Sequence, residues 1–125
     1  MNNQQRTIFK IAMLILIVFA LGLTACGSGG EPVSAERGEE IFKTLCSACH
    51  GNDGKGIIGL GKDLTTSEFT AGMSDAEFVD FIIEGRPAIH EDNTTGIDMP
   101  PRGGNPDLTD DDLASIVAFV RTLEE

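Results

Sequence analysis

The feature that most constrains this sequence is the run Cys46-Ser47-Ala48-Cys49-His50. The chain has 125 residues and 3 cysteines, and two of those cysteines stand three positions apart with a histidine directly after the second. Such a group can form a redox dithiol, a disulfide, half of a zinc site or the attachment point of a covalent cofactor. Each use requires a different fold around the motif, so the rest of the sequence has to decide between them.

Residues 1–25 are predicted to be an export signal and not part of a folded domain. Arg6 and Lys10 precede an unbroken apolar run from Ile11 to Leu21, and small residues follow the run. A charged start, an apolar stretch and a small-residue cleavage site are the layout of a secretory signal. The run is shorter than the roughly 20 apolar residues that span a membrane, which favours a cleaved signal over an uncleaved anchor.

The end of this segment, Leu23-Thr24-Ala25-Cys26, resembles the lipobox of bacterial lipoproteins. The resemblance implies that Cys26 becomes the lipidated first residue of the mature protein, with residues 26–33 as a flexible tether. The alternative is an incidental thiol or a disulfide, but a bridge from Cys26 to either motif cysteine would leave an odd thiol in an oxidising compartment. We therefore expect an exported protein, lipid-anchored to a bacterial membrane and facing the periplasm or another extracytoplasmic space.

The charge of the mature chain argues against partners that are themselves strongly anionic. Residues 26–125 hold all 20 acidic residues and 7 of the 9 lysines and arginines, a formal charge of −13. Such a surface does not bind nucleic acid or an anionic membrane face by electrostatics. It is compatible with a basic partner, and equally with a surface that only keeps the domain soluble.

Residues 34–125 are predicted to form an all-α domain with three main helices. The first helix is capped by Ser34 and runs into Cys46, the second begins at the capping box of Ser74 and ends at Gly85, and the third is capped by Thr109. No segment alternates at period two, which argues against strands. The apolar faces carry residues at helical spacing: Gly38, Ile41, Phe42 and Leu45; Phe78, Phe81 and Ile82; Leu113, Ile116, Val117 and Val120.

Three modest helices and long glycine-rich loops make a thin core, so a domain of this size needs a further stabilising element. A disulfide between Cys46 and Cys49 would close too small a loop to constrain the unfolded chain. A thioredoxin-like dithiol follows a strand, whereas a helix precedes this motif, and a structural zinc site would need a second ligand pair. Cys-x-x-Cys-His is the attachment signature of c-type haem. The motif therefore predicts one haem c bound covalently to Cys46 and Cys49, with His50 as an axial ligand.

The second axial ligand has three candidates. Met99 lies in Ile97-Asp98-Met99-Pro100-Pro101, where the prolines stiffen the backbone and hold Met99 extended. His90 stands among polar residues and is read as a surface side chain, and Met73 precedes a capping box and is read as a packing residue. Met99 is the predicted ligand, since Met/His ligation is a standard cytochrome c arrangement.

These residues resemble class I cytochromes c, and the resemblance covers the whole mature domain. Residues 38–42 look like the family's N-terminal helix, whose glycine lets the C-terminal helix cross closely, and Ile116 and Phe119 match positions on that second helix. Residues 59–64 look like the segment whose backbone carbonyl accepts the N–H of the proximal histidine, with Lys62 where the family usually has proline. Tyrosine and tryptophan are absent from the sequence, so Arg86 and Arg102 are the candidates to contact the haem propionates.

A narrower resemblance concerns the segments 61–66, 85–87 and 99–106, which look like the small monohaem lipoprotein subunit of alternative complex III. It implies a subunit of a membrane quinol-oxidising complex that transfers single electrons to an extracytoplasmic acceptor and is not an enzyme on its own. An independent lipid-anchored carrier between neighbouring complexes is the first alternative. A gas-binding haem protein with an open sixth position is the second, although such bundles carry their motif near the C-terminus.

Overall fold

The structure is a computed structural model that describes residues 4–5 and 31–125. The predicted export signal apart from residues 4–5, the predicted lipidation site Cys26 and residues 27–30 of the predicted tether lie outside the described residues. Residues 31–125 form one compact unit of the chain, and the fold below is that of this unit.

Five α-helices form this unit. They are α1 (Ala35–Ile41), α2 (Ser47–His50), α3 (Glu68–Ala71), α4 (Asp75–Glu84) and α5 (Asp110–Leu123); a π-helical turn, Phe42–Cys46, joins α1 to α2, and a 3₁₀ turn, Pro101–Gly104, precedes α5. Residues 31–125 contain no strand and only the isolated bridges Ile57–Gly61 and Arg86–Met99. The predicted all-α fold is confirmed. None of the described helices is long and apolar enough to cross a membrane.

The three predicted helix starts are confirmed by their caps. The Ser34 hydroxyl accepts a hydrogen bond from the Arg37 backbone N–H at 3.2 Å. Ser74 forms a capping box with Glu77 at the start of α4, and Thr109 forms one with the third residue of α5. A side-chain oxygen at these positions satisfies backbone N–H groups that have no partner within the helix. The short helix α3 was not predicted, because its four residues present no repeating apolar face.

Helices α1 and α5 cross at Gly38. A Cβ atom at this position would overlap the Ser115 backbone carbonyl, so only glycine permits the approach. One turn further along, the rings of Phe42 and Phe119 pack with centroids 5.3 Å apart. The resemblance to class I cytochromes c predicted this close crossing, and the structure contains it. The buried core around it consists of Ile41, Phe42, Leu64, Phe78, Ile82, Leu113, Ile116, Val117, Phe119 and Val120.

The π-helical turn lies directly before the Cys-x-x-Cys-His motif. Its wider turn shifts backbone N–H groups away from their usual carbonyls, and the Ser47 N–H bonds to the Phe42 carbonyl instead. Two hydroxyls donate to carbonyls in this stretch, Thr44 to Glu40 at 2.8 Å and Ser47 to Lys43 at 2.7 Å. The carbonyls of Glu40, Phe42 and Lys43 therefore all accept hydrogen bonds where the helix continues into the motif.

Candidate cofactor site

A cavity of about 710 Å³ opens between the motif, helices α4 and α5, and the segment around Met99. Its walls are largely apolar, and Cys46, Cys49, His50 and Met99 all contribute to them. The apolar part of the lining comes from Phe42, Leu45, Leu60, Leu64, Phe69, Phe78, Phe81, Ile82, Ile97, Ile116 and Val120. The three predicted motif residues and Met99, which is distant from them in sequence, thus surround one space.

The two motif cysteines are half-buried and are not joined by a disulfide. Burial, with a smaller contribution from Cys49, raises the pKa of the Cys46 thiol to about 11. A reactive dithiol needs a lowered thiol pKa, so this environment disfavours redox exchange at the pair. Within residues 31–125 no group of three or more His, Cys, Asp and Glu side chains converges on one point.

His50 is oriented by the backbone of the following loop. Its Nδ1 lies 2.9 Å from the Lys62 carbonyl oxygen. A carbonyl only accepts, so the hydrogen bond requires the proton on Nδ1, and in the neutral ring the lone pair is then on Nε2. The resemblance to class I cytochromes c predicted a carbonyl acceptor in residues 59–64, and the structure places that of Lys62 in this position. A second hydrogen bond of this kind is typical of metal-binding histidines.

The glycine-rich loop after the motif folds back onto it. The Gly56 N–H donates to the His50 carbonyl at 2.8 Å, and the Ile57 N–H donates to the Cys49 carbonyl at 3.0 Å. A Cβ at Gly61 would collide with the Cys49 carbonyl, so the close return of the chain needs glycine there. This loop was predicted to be irregular, and it holds the acceptor for His50 in place.

Met99 is partly buried against the core and is fixed by its backbone. Its N–H donates to the Arg86 carbonyl and its carbonyl accepts from the Arg86 N–H, both at 2.8 Å. Gly85 makes this pairing possible, because its φ is +68° and a Cβ there would collide with the Met99 carbonyl and Pro101. The Met99 segment is thereby attached to the end of helix α4.

The other two ligand candidates stand elsewhere. Met73 packs against the hydrophobic core, and its carbonyl accepts from the Arg121 guanidinium at 2.7 Å. His90 is exposed, and its Nδ1 accepts from the Asp92 backbone N–H at 3.2 Å. Neither residue lines the cavity, whereas Met99 does.

The two arginines that the resemblance suggested differ in position. Arg86 lines the cavity, and its guanidinium carbon lies 4.5 Å from the ring centroid of Phe69 and 4.8 Å from that of Phe81. Arg102 does not line the cavity; it donates to the Leu108 carbonyl at 2.8 Å and pairs with Asp110 at 3.0 Å. The structure therefore brings one of these two cations, Arg86, to the site.

Phe69 and Asn93 are among the cavity residues that sequence reasoning missed. Phe69 stacks under Arg86 from the unpredicted helix α3, and an isolated phenylalanine gives no sequence signal of that role. Asn93 lines the cavity and hydrogen-bonds within its own loop. The sequence Asn-Thr-Thr-Gly that begins at Asn93 is typical of a turn, and asparagine side chains in turns bind nearby backbone groups. This signal could have identified Asn93.

The residues around the cavity fit a covalently attached haem. A large planar apolar group needs apolar walls, which the core side chains supply, and two thiols adjoin a histidine whose second ring nitrogen is free to bind a metal. The Met99 thioether, a soft ligand, is the remaining donor of the set. The chemistry of these side chains matches haem c better than it matches zinc or a dithiol.

Comparisons with known proteins agree with this fit. The model of the family described as cytochrome c oxidase, cbb3-type, subunit III matches residues 33–120. The cbb3-type cytochrome c oxidase subunit FixP of Azorhizobium caulinodans is 34% identical over 95 residues, which cover 75% of this chain and 29% of the relative. Subunit CcoP of Rhodobacter capsulatus is 28% identical over 102 residues, which cover 81% of this chain and 33% of the relative.

A smaller relative is matched over most of its own length. Cytochrome c-555 of Prosthecochloris aestuarii is 27% identical over 92 residues, which cover 72% of this chain and 88% of the relative. The chain thus spans only about a third of the length of the oxidase subunits FixP and CcoP, but most of the length of cytochrome c-555.

Proposed function

Since this chain belongs to the cbb3-type cytochrome c oxidase subunit III family, whose cytochrome c domain binds haem c covalently, we propose that it transfers single electrons. The observation that carries the proposal is the position of Cys46, Cys49, His50 and Met99 around one apolar cavity. A bound haem c supplies an iron that accepts and releases one electron. The cavity residues fix where and in what surroundings that occurs.

Each site residue has one role in the proposal. Cys46 and Cys49 would form the thioether bonds, and His50 would bind the iron through Nε2 while its Nδ1–H stays on the Lys62 carbonyl. Met99 would supply the second axial ligand. If His50 and Met99 both bind the iron, no axial position would be left for a substrate or a gas. This favours an electron carrier over an enzyme and over the gas-binding alternative.

The apolar walls have a separate role, which is to exclude water. Phe42, Phe78 and Ile82 are buried side chains that line the cavity. A dry site shields the redox centre, and the polarity of the surroundings is one of the factors that set haem potentials.

For the whole protein, we propose a lipid anchor and a membrane complex. The lipobox-like segment supports lipidation of Cys26, and only residues 27–33 separate that cysteine from the capped helix start. Fully extended, this tether would reach roughly 25 Å, which keeps the domain near the bilayer. Such a short reach supports a subunit docked on a membrane oxidoreductase.

Two kinds of membrane complex are compatible with the observations. The resemblance of residues 61–66, 85–87 and 99–106 to the alternative complex III subunit supports a quinol-oxidising assembly. The relatives FixP and CcoP, named as oxidase subunits, support an oxidase. The match over most of cytochrome c-555 supports the runner-up, an independent tethered carrier.

Mass spectrometry of the purified protein tests the core of the proposal. After acid–acetone extraction, one haem should remain on the chain, and Cys46→Ala with Cys49→Ala should abolish its retention. Haem that extracts completely from the unaltered protein would contradict covalent attachment.

Membrane fractions test the wider proposal. Cys26→Ser should release the protein or block its processing, and a variant that stays membrane-bound with an intact N-terminus would favour a spanning anchor. Native electrophoresis in mild detergent with haem staining should show co-migration with a large redox complex, whose subunits identify it as quinol-oxidising or oxidase. A single haem band near the monomer mass would favour the independent carrier.

A further inference from the structure

The loop of residues 87–98 is closed from the inside by the side chain of Asn93. Its Nδ2 donates to the Pro87 carbonyl at 3.2 Å and to the Ile97 carbonyl at 2.8 Å, at opposite ends of the loop. Its Oδ1 accepts from the backbone N–H groups of Thr95 at 3.1 Å and Gly96 at 2.9 Å. One amide side chain therefore joins the start, the tip and the end of the loop.

The base of the same loop carries Met99. The backbone pair between Arg86 and Met99 closes the loop immediately outside the contacts of Asn93. Asp98, the neighbour of Met99, accepts from the Ala88 N–H at 2.5 Å. The Asn93 side chain is thus part of a ladder of hydrogen bonds that ends at Met99.

Apolar packing contributes little to holding this loop in place. Ile89 is 95% exposed and Ile97 is 42% exposed, so its apolar side chains contribute little burial. The loop also forms part of the cavity wall, where Asn93, Thr95 and Ile97 appear beside Met99. A segment with few buried apolar contacts opens readily unless hydrogen bonds restrain it.

We propose that Asn93 is a positioning residue that keeps the Met99 thioether at the cavity by holding the loop closed. The inference rests on the proposed axial role of Met99. It adds the residue that controls the fraction of molecules in which Met99 is dissociated from the iron. Asparagine suits the position chemically, because only an amide offers two donors for carbonyls and an acceptor for N–H groups. Aspartate at this position would keep the acceptor and lose both donors.

The test uses the full-length holo-protein and a competing ligand. Free imidazole binds the ferric iron only in molecules from which Met99 has dissociated, so its apparent Kd reports the population of the open loop. The variants are Asn93→Asp and Asn93→Ala. The matched control is Asn105→Asp, since the Asn105 Oδ1 accepts from the Asp107 N–H at 3.0 Å in a comparable turn outside the loop.

Each hydrogen bond contributes enough that losing two should raise the open population about tenfold or more. We expect both Asn93 variants to bind imidazole at least about tenfold more tightly than wild type, and the Asn105 variant to bind it as wild type does. A purely structural role would lower the unfolding midpoint and leave imidazole binding unchanged. Wild-type imidazole affinity in Asn93→Asp, with the sulfur-to-iron absorption band intact, overturns the inference. Absence of that band in the wild-type protein overturns instead the role of Met99 on which the inference rests.

Discussion

The main chains of Met99 and Arg86 pair through two hydrogen bonds of 2.8 Å, one in each direction. The Arg86 guanidinium meanwhile lies against the rings of Phe69 and Phe81 at the cavity. A single residue just beyond the end of helix α4 thus fixes the backbone of the proposed axial ligand and places a cation beside the site. The position of Met99 depends on helix α4 as well as on its own proline-rich segment.

Gly85→Ala is expected to displace Met99. The alanine Cβ would collide with the Met99 carbonyl, and the positive φ would add backbone strain of about 1–3 kcal/mol. The sulfur-to-iron absorption band of the oxidised protein should weaken or disappear, and the midpoint of urea unfolding should fall. Gly59→Ala is the matched control, because Gly59 has a φ of +80° with no atom near the Cβ position. A band equally weakened in both variants would show that strain alone, without the Met99 contact, explains the effect.

Arg86→Leu is expected to lower the reduction potential, because removal of a nearby cation favours the more positive ferric state. An effect on the order of 50 mV corresponds to one partly screened charge. Redox titration measures it, with Arg102→Leu as the control, since Arg102 is bound by Leu108 and Asp110 away from the cavity. A larger shift in the Arg102 variant than in the Arg86 variant would contradict this assignment of the two arginines.

The parts of the structure that the sequence predicted have either a local chemical signature or a counterpart in class I cytochromes c. The caps at Ser34, Ser74 and Thr109 each depend on residues at most three positions apart, so they could be read directly. The contact of His50 with the Lys62 carbonyl followed from the resemblance to class I cytochromes c. These predictions are confirmed by the geometry.

The unpredicted parts depend on contacts between distant or non-repeating segments. The pairing of Arg86 with Met99 and the stacking of Phe69 on Arg86 leave no periodic trace in the sequence. The π-helical turn was missed because its residues continue the apolar spacing of α1. The sequence could not predict that Arg86 lines the cavity and Arg102 does not. Each arginine stands in a loop between one glycine and one proline, so their sequence surroundings are alike.

Gly38→Ala is expected to destabilise the fold strongly. The added methyl group would overlap the Ser115 carbonyl at the crossing of α1 and α5, and a rigid backbone cannot yield as a side chain can. The free energy of unfolding should fall by about 3 kcal/mol, as measured by urea denaturation. Glu36→Ala on the exposed side of the same helix is the control and should have little effect. An unchanged midpoint in Gly38→Ala would show that the helices can separate without cost.

The stability of the domain is expected to fall in acid through its helix caps. Hydrogen bonds from the Thr109 backbone and hydroxyl, and to a smaller extent from Arg37, hold the pKa of Asp112 below its usual value. A carboxylate with a lowered pKa stabilises the folded state above its unfolded pKa, and this contribution is lost as the pH falls through the folded pKa. The unfolding midpoint should therefore decrease below about pH 4.

Thr109→Ala checks the source of this acid dependence. It removes a main donor to Asp112, so it should lower stability at pH 6 and reduce the further loss between pH 6 and pH 3. Asp112→Asn should give a similar dependence of stability on pH. The double variant should be little less stable than either single variant, because both changes disrupt the same capping box. Strictly additive effects would place the acid dependence elsewhere.

The last prediction concerns the choice of axial ligand. Met99→Ala should abolish the sulfur-to-iron absorption band and let imidazole bind the ferric iron without competition from the protein. His90→Ala and Met73→Leu should leave the band unchanged, because these two residues lie outside the cavity. Met99→His should restore a low-spin spectrum without the sulfur band, since a histidine at the same place can bind the iron. If His90→Ala, rather than Met99→Ala, removes the low-spin spectrum, the loop of residues 87–98 must rearrange around the haem so that His90, exposed in this structure, becomes the ligand.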